Sequence, residues 1–285
     1  VDPRHVATLN SYGHLLQTIR QDYGRAEEMY ELALEVDPRH VAALNNYGYL
    51  LHSIRQDYGR AEEMYERALE VDPRHVAALN NYGYLLHSIR QDYGRAEEMF
   101  KRALEVDTRH VDALNNYGHL LQYARQDYGR AEEMYERALE VDPRHVAALS
   151  NYGDLLKNIR QDYGRAEEMF KRALEVDPRH VYALNSYGHL LHSIRQDYGR
   201  AEEMYERALE VDPRHVATLN LYGILFHNIR QDYGRAEEMY ELALEVDPRH
   251  VAALNNYGYL LHSIRQDYGR AEEMYERALE VDPRH

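Results

Sequence analysis

The sequence has 285 residues, no cysteine and a formal net charge of −15 at pH 7. Without cysteine there is neither a disulfide framework nor a thiolate metal site, and the acidity weighs against non-specific nucleic-acid binding, in which basic residues neutralise phosphates. No apolar run reaches transmembrane length and no signal sequence is visible, so we expect no membrane contact and favour a cytoplasmic location, although the compartment stays unknown.

The whole chain is built from one 35-residue unit. Residues 36–70, VDPRHVAALNNYGYLLHSIRQDYGRAEEMYERALE, recur unchanged at 246–280. A unit this short cannot bury its own apolar face, so we expect neighbouring units to stack into a single repeat domain over 1–285. The units are 1–35, 36–70, 71–105, 106–140, 141–175, 176–210, 211–245 and 246–280, and 281–285 begin a ninth. Since the chain lacks an initial Met and stops inside a unit, we expect a piece of a longer protein or an engineered chain.

Each unit opens with a joint, VDPRH, which tolerates proline because it lies outside a helix or at its first position. A first helix, helix A, is predicted from His40 to about Arg55, where apolar residues recur at steps of three and four. The predicted buried face of helix A is Val41, Leu44, Tyr47, Leu51 and Ile54. Gly48 lies within this face, which indicates close approach of a neighbouring helix. The joint histidine, His40, is expected to form local hydrogen bonds.

A second helix, helix B, is predicted from about Tyr58 to Glu70, with Asp57 as its N-cap. Its apolar residues have helical spacing: Ala61, Met64, Tyr65, Ala68 and Leu69. The pair Glu63 and Arg67 is four residues apart and should interact, whereas the recurring pair Glu62 and Glu63 is interpreted as solvated charge. The predicted fold is therefore all-α, a helical hairpin repeated eight times.

These residues resemble the tetratricopeptide repeat (TPR), whose period is about 34 residues. The matching residues are Leu44, Tyr47, Gly48, Leu51, Ala61, Tyr65, Ala68 and Pro73. The resemblance covers the chain and implies an α-solenoid, a right-handed superhelix of eight helix-turn-helix repeats that binds a protein or peptide. One extra residue within HSIRQ (52–56) and a missing turn glycine make it a 35-residue variant of undetermined pitch. Pentatricopeptide arrays share this period and read RNA, but the Asp-Pro joint, the position of Gly48 and the acidity favour the TPR.

Differences between copies concentrate on one face of helix A, which in the TPR family lines a concave groove. Tolerated change on a solvated surface would explain this variation too, but tyrosine is typical of interfaces. The predicted partner-binding residues are Asn45, Asn46, Tyr49, His52, Asn80, Asn81, Tyr84, His87, Asn115, Asn116, His119, Tyr123, Asn151, Asp154, Lys157, Tyr182, Asn185, His189, His192, Asn255, Asn256 and Tyr259. A clamp for peptide carboxylates is disfavoured because Lys157 is the one basic residue on this face apart from histidine.

Paired asparagines are the most specific feature of this face, at the tenth and eleventh positions of most units, as in Asn45 and Asn46. An amide both donates and accepts, so it matches a peptide backbone of any sequence. The eleventh position aligns with the asparagine ladder of TPR arrays, which implies that it holds extended peptides. Alternatively, one asparagine of each pair bonds to a neighbouring helix, and for the tenth position this is at least as strong an interpretation.

No catalytic or metal site is predicted. His189 and His192 are the one nearby histidine pair expected on the variable face, and a third ligand is lacking. No nucleophile–base pattern or phosphate-binding loop occurs, so we expect neither a cofactor nor an enzyme.

Two alternative functions stay open. The residues of the last helix B match their internal counterparts, which predicts head-to-tail stacking into homo-oligomers: Ala271, Met274, Tyr275, Ala278 and Leu279. The second alternative is an engineered or recently duplicated array that has no specific ligand.

Overall fold

The structure is a computed structural model and describes residues 5–282. Sixteen α-helices and eight short π-helical turns follow one another in that range, and no strand occurs in it. This confirms the all-α array of helix pairs. The chain divides into two compact units, residues 1–143 (unit 1) and 144–285 (unit 2), each holding eight of the helices. The single domain over 1–285 stays a prediction.

Unit 1 consists of four helix pairs, in which each helix A is an α-helix continued by a π turn. Its α-helices are α1 Val6–Leu15, α2 Tyr23–Val36, α3 Val41–Leu50, α4 Tyr58–Val71, α5 Val76–Leu85, α6 Tyr93–Val106, α7 Val111–Leu120 and α8 Tyr128–Val141. Its π turns are Leu16–Arg20, Leu51–Arg55, Leu86–Arg90 and Leu121–Arg125.

Unit 2 repeats the same arrangement. Its α-helices are α9 Val146–Leu155, α10 Tyr163–Val176, α11 Val181–Leu190, α12 Tyr198–Val211, α13 Val216–Leu225, α14 Tyr233–Val246, α15 Val251–Leu260 and α16 Tyr268–Val281. Its π turns are Leu156–Arg160, Leu191–Arg195, Phe226–Arg230 and Leu261–Arg265.

Side-chain caps fix where both helices of a repeat begin. The His40 ring accepts a hydrogen bond at Nδ1 from the backbone N–H of Ala43, at 3.2 Å. Asp57 Oδ1 accepts one from the backbone N–H of Arg60, at 3.1 Å. Both bonds satisfy N–H groups that the first turn of a helix leaves without an intrahelical partner. The predicted Asp57 cap and the local role of the joint histidine are thus confirmed.

The extra residue of the 35-residue period is absorbed by the π turn that ends helix A. In residues Leu51–Arg55 each turn closes one residue later than in an α-helix, and the N–H of Gln56 reaches back to the carbonyl of Leu51. The additional residue rotates the end of the helix, so Ile54 is 39% exposed instead of belonging to the predicted buried face. Gln56 then takes the left-handed conformation, with φ of 56°.

Replacing Gln56 by glycine should stabilise the protein by about 1 kcal/mol, because a residue with a Cβ is strained in the left-handed region and glycine is not. The measurement is the urea midpoint of the full chain. Ser53→Gly is the matched control, since Ser53 lies in the right-handed π turn three residues earlier and bonds the carbonyl of Tyr49. The control should lower stability by about 0.5–1 kcal/mol. A loss of stability in Gln56→Gly would show that the left-handed conformation of Gln56 is not strained.

Close packing of the two helices of a repeat explains the glycine of helix A. A Cβ at Gly48 would lie 2.8 Å from Cε1 of Tyr65, on helix B of the same repeat. Tyr65 is fully buried, together with Leu44 and Ala61. The predicted close approach at Gly48 is therefore confirmed.

Polar side chains at the edge of the core join successive repeats. Tyr82 donates a hydrogen bond to Glu62 Oε1 at 3.0 Å, and Arg90 Nε donates to Glu62 Oε2 at 2.9 Å. The interpretation of Glu62 as solvated charge was wrong, because its side chain is 21% exposed and connects two repeats. Glu63 is exposed and pairs with Arg67 at 3.5 Å, as predicted.

Candidate functional site

A chain of asparagine side chains connects the A helices of unit 1. Asn46 Nδ2 donates to Asn10 Oδ1 at 3.0 Å, and Asn81 Nδ2 donates to Asn45 Oδ1 at 3.0 Å. Within a repeat, Asn45 Nδ2 donates to Asn46 Oδ1 at 3.2 Å. We call this chain the amide ladder, formed by Asn10, Asn45, Asn46, Asn80, Asn81, Asn115 and Asn116. The alternative interpretation of the tenth position, a bond to a neighbouring helix, is confirmed.

The ladder uses only part of the hydrogen-bonding capacity of the asparagines at the eleventh position. A primary amide has two N–H donors and one acceptor oxygen. Asn46 uses one N–H toward Asn10 and its oxygen toward Asn45, and Asn81 makes the equivalent two bonds. Both side chains are half-buried, whereas Asn45, Asn80 and Asn115 at the tenth position are buried. One N–H of Asn46 and one of Asn81 are therefore not used by the ladder.

Beside the ladder, two tyrosines border a cavity between the second and third repeats. Tyr49 and Tyr84 occupy the same position of helices α3 and α5 and are 48% and 45% exposed. The cavity has a volume of about 350 Å³, which falls within the range of small ligand pockets. Its lining consists of Tyr49, His52, Ser53, Gln56, Tyr58, Asn81 and Tyr84.

Burial disfavours the charged form of two histidines on this face. The ring of His52 packs against that of Tyr84, with centroids 5.7 Å apart, and burial lowers the pKa of His52 below its usual value of about 6.5. Burial lowers the pKa of His87 in the next repeat for the same reason. The face formed by the second and third repeats therefore holds tyrosine, amide, hydroxyl and neutral imidazole groups.

A histidine pair that the sequence analysis did not foresee lies farther along unit 1. His87 Nε2 is 3.0 Å from Nδ1 of His119, and the ring of His119 packs on Tyr123 with centroids 4.5 Å apart. The prediction that His189 and His192 form the one nearby pair was wrong. The contact joins position 17 of one repeat to position 14 of the next, and not equivalent positions of the two repeats.

Unit 2 has a different polar cluster on the corresponding face, centred on Asp154. Lys157 Nζ lies 2.9 Å from Asp154 Oδ1, and both side chains are buried. The hydroxyls of Tyr182 and Ser186 donate to Asp154 Oδ2, that of Ser186 at 3.2 Å. Burial, and then the charge of Lys157, lower the pKa of His189 to about 4. Lys157 is thus buried in an ion pair with Asp154 and does not present its charge on the surface of the face.

The predicted site residues fall into three classes of exposure. The exposed ones are Tyr49, Tyr84, Tyr123, Tyr182 and Tyr259. The half-buried ones are Asn46, Asn81, Asn116, Asn151, Asn185, Asn255, Asn256, His87, His119, His189 and His192. The buried ones are Asn45, Asn80, Asn115, His52, Asp154 and Lys157. The tyrosines therefore provide the open surface, while the buried polar residues organise it from below.

The hydrogen bonding between position 17 of helix A and the neighbouring aromatic residue of helix B differs from repeat to repeat. The sequence analysis did not predict this difference. In the first repeat, Tyr30 on helix B donates to Gln17 Oε1 at 2.8 Å. In the second repeat position 17 is His52, and the buried hydroxyl of Tyr65 has no hydrogen-bond partner within residues 5–282. The third repeat has Phe100 at this position of helix B, which removes the hydroxyl altogether.

Tyrosine-to-phenylalanine substitutions in helix B should therefore have different effects on stability in two repeats. Tyr30→Phe should destabilise by about 0.5–1.5 kcal/mol, since it breaks a hydrogen bond and leaves Gln17 without its donor. Tyr65→Phe should be neutral or stabilising, since an unpaired buried hydroxyl is removed. Thermal unfolding of the two variants provides the comparison. Equal losses of stability would show that the hydroxyl of Tyr65 is satisfied in solution.

Sequence models described as tetratricopeptide repeat match residues 20–56, 54–104, 109–179, 181–215 and 230–285. Taken together, these matches span most of the sequence. The chain belongs to the tetratricopeptide repeat family. A comparison with curated proteins finds no match. The family membership confirms the resemblance drawn from the repeat motif and supports a role of this TPR chain as a protein-interaction scaffold.

Solved structures agree with the TPR fold. The pilF protein of Pseudomonas aeruginosa is similar with a TM-score of 0.62 and 20% identity, over 76% of this chain and 96% of that chain. A tetratricopeptide repeat protein from Parabacteroides merdae ATCC 43184 is similar with a TM-score of 0.66 and 20% identity, over 90% and 98%. At these identities the likeness supports the fold and leaves the partner open.

Two other kinds of site are not found within residues 5–282 of this TPR chain. Within that range, no three histidine, aspartate or glutamate side chains are grouped as ligands for a metal ion. None of the helices described there combines the length and apolar character that crossing a bilayer requires.

Proposed function

We propose that this TPR chain binds an extended peptide segment of a partner protein on the helix-A face of unit 1. The observation that carries the proposal is the pair of exposed rings, Tyr49 and Tyr84, on either side of a cavity next to the amide ladder. Exposed tyrosines in neighbouring repeats offer large, rigid contact area with a polar end, which is what interfaces favour. The uncommitted N–H groups of Asn46 and Asn81 suit the carbonyls of a peptide backbone.

The ladder also limits how this face could work. Asn45 and Asn80 are buried and bonded to the neighbouring repeats, so they hold the A helices in register instead of meeting a ligand. The proposed contacts are therefore made by the tyrosines and by Asn46 and Asn81. Substituting the ladder would disturb the stack itself, so the tyrosines are the residues to test.

Selection from a random peptide library against the 285-residue chain tests the proposal. Selected peptides should lose at least about ten-fold in affinity for Tyr49→Ala/Tyr84→Ala, which corresponds to about 1.4 kcal/mol. The control variant is Leu32→Arg, which changes an exposed apolar residue of helix B to the arginine that Arg67 provides in the next repeat. Binding that is unaffected by the tyrosine substitutions, or equally weakened by the control, contradicts the proposal.

We propose, secondly, that copies of the 285-residue chain associate head to tail. Tyr12 and Leu15 are 40% and 44% exposed, whereas Tyr47 and Leu50, at the same positions of the second repeat, are 3% and 0% exposed. At the other end of the array, Leu279 of α16 is 51% exposed. Within each unit, the equivalent surfaces lie at the interface between successive repeats. The terminal surfaces of two copies could therefore pack against each other in the same way.

Sedimentation velocity over a concentration series tests this second proposal. The chain should form species that grow with concentration, and Leu15→Glu should shift it to a monomer because the charge would be buried in the join. A monomer at every concentration contradicts the proposal. Peptide binding by the monomeric variant separates the two proposals, because Leu15 does not line the cavity between Tyr49 and Tyr84.

A further inference from the structure

We propose that the segment bound by unit 1 is an uncharged, proline-rich peptide in the polyproline II conformation, lying across Tyr49 and Tyr84. This inference rests on the proposed peptide-binding function and specifies the chemistry of its partner. Polyproline II segments dock on grooves lined with aromatic rings, because their fixed backbone loses little entropy on binding.

The charge of the face supports an uncharged partner. The second and third repeats carry the same six residues at the variable positions of helix A, namely Ala42, Asn45, Asn46, Tyr49, His52 and Ser53, with Ala77, Asn80, Asn81, Tyr84, His87 and Ser88. None of these residues is an acid, a lysine or an arginine, and burial disfavours the charged form of both histidines. A charged ligand side chain placed here would lose hydration without gaining a partner of opposite charge.

The spacing of the tyrosines supports a threefold repeat in the ligand. The 3.0 Å bonds from Asn46 to Asn10 and from Asn81 to Asn45 show that successive A helices are direct neighbours. Packed helices lie about 8–10 Å apart. One turn of polyproline II has three residues with a rise of about 3.1 Å each, or about 9.3 Å. Every third residue of such a ligand would therefore meet the equivalent tyrosine of the next repeat.

The hydrogen-bonding capacity of the face also matches this backbone. Polyproline II leaves its carbonyls without internal partners, and proline has no N–H that needs an acceptor. The hydroxyls of Tyr49 and Tyr84 form no hydrogen bond within residues 5–282. Together with the uncommitted N–H groups of Asn46 and Asn81, they supply donors for ligand carbonyls. A helical ligand would offer no free carbonyls along its length and would need a continuous apolar stripe that this face lacks.

Fluorescence anisotropy with labelled synthetic peptides tests the inference on the full chain. A peptide of Pro-Pro-Ala triplets should bind at least about ten-fold more tightly than an equally long peptide of Gly-Ser-Ala triplets. Peptides of Pro-Pro-Glu or Pro-Pro-Lys triplets should bind more weakly than the uncharged one. Tyr49→Ala/Tyr84→Ala should weaken the Pro-Pro-Ala complex about ten-fold or more, Tyr49→Phe/Tyr84→Phe by less because the rings remain, and Leu32→Arg not at all.

Two outcomes overturn the inference. One is equal affinity for the proline-rich and Gly-Ser-Ala peptides. The other is an affinity for the proline-rich peptide that the tyrosine substitutions leave unchanged. If library-selected peptides without proline bind and depend on Tyr49 and Tyr84, the inference fails while the proposed peptide-binding function stands. If no peptide depends on these tyrosines, both fail.

Discussion

Gly118→Ala should destabilise the protein although alanine is the better helix former. Gly118 lies in α7, and a Cβ there would be 2.8 Å from Cε1 and 3.0 Å from Cδ1 of Tyr135. The Tyr135 ring is fully buried, and its hydroxyl donates to Gln122 at 2.9 Å, so it has little freedom to withdraw. Overpacking of this kind costs about 1–3 kcal/mol, more than the gain of about 1 kcal/mol in helix propensity.

Gly129→Ala, eleven residues later in the same repeat, is the matched control. Gly129 lies in the first turn of α8, and a Cβ there would have no heavy atom of the described residues within 4 Å outside its own backbone neighbours. Only the propensity gain remains, so the control should stabilise by about 0.5–1 kcal/mol.

Because repeats contribute to stability locally, hydrogen exchange of the fourth repeat should accompany urea unfolding of the full chain. Gly118→Ala should speed exchange in α7 and α8, and Gly129→Ala should slow it. If both substitutions shifted exchange in the same direction, contact with Tyr135 could not be the reason for the glycine.

Local signals in the sequence were enough to predict most of the fold. The period, the apolar spacing and the Asp57 cap each depend on residues within one repeat, and each is found in the structure. The π turn was not predicted, because an extra residue between two helices is equally compatible with a longer loop. Its consequence is the exposure of Ile54, which a regular α-helix would have kept on the buried face.

The candidate site was less predictable because its contacts join different repeats. Residue types suggested that Asn46 and Tyr49 share a face, but nothing local indicated that Asn46 bonds to Asn10 or that His87 meets His119. Both contacts depend on the offset between neighbouring A helices, which is set by core packing. The same offset makes Glu62 a connector between repeats, where its sequence context suggested a solvated charge.

The two units show how one scaffold carries different surfaces. The helix-B core is nearly constant, so substitutions on helix A change the face without changing the stack. In the second and third repeats these positions form part of the uncharged ladder with exposed tyrosines, and in the fifth and sixth repeats they form the buried cluster around Asp154. Buried ion pairs depend strongly on both partners being present, so this cluster should be sensitive to the loss of either charge.

Asp154→Ala should destabilise the protein by about 3–5 kcal/mol, because it leaves the buried ammonium of Lys157 without a counter-ion. Asp154→Ala/Lys157→Met should lose much less, since both charges are gone and methionine keeps the length of the lysine stem. Lys157→Met alone should be intermediate, because Asp154 retains the hydroxyl donors of Tyr182 and Ser186. Urea unfolding of the three variants gives this order, and equal losses for the single and double variants would contradict a buried ion pair.

The pKa of His189 gives a second readout that packing alone would not change. It lies at about 4 because of burial and the positive charge of Lys157, while the charge of Asp154 acts in the opposite direction. Lys157→Met should therefore raise this pKa, and Asp154→Ala should lower it further. Because the folded pKa is below the unfolded value of about 6.5, the stability contributed by His189 is present above pH 6.5 and is lost as the pH falls toward 4. An NMR titration of the imidazole protons measures both shifts, and a pKa that is the same in both variants would place the charges of Asp154 and Lys157 too far away to act on His189.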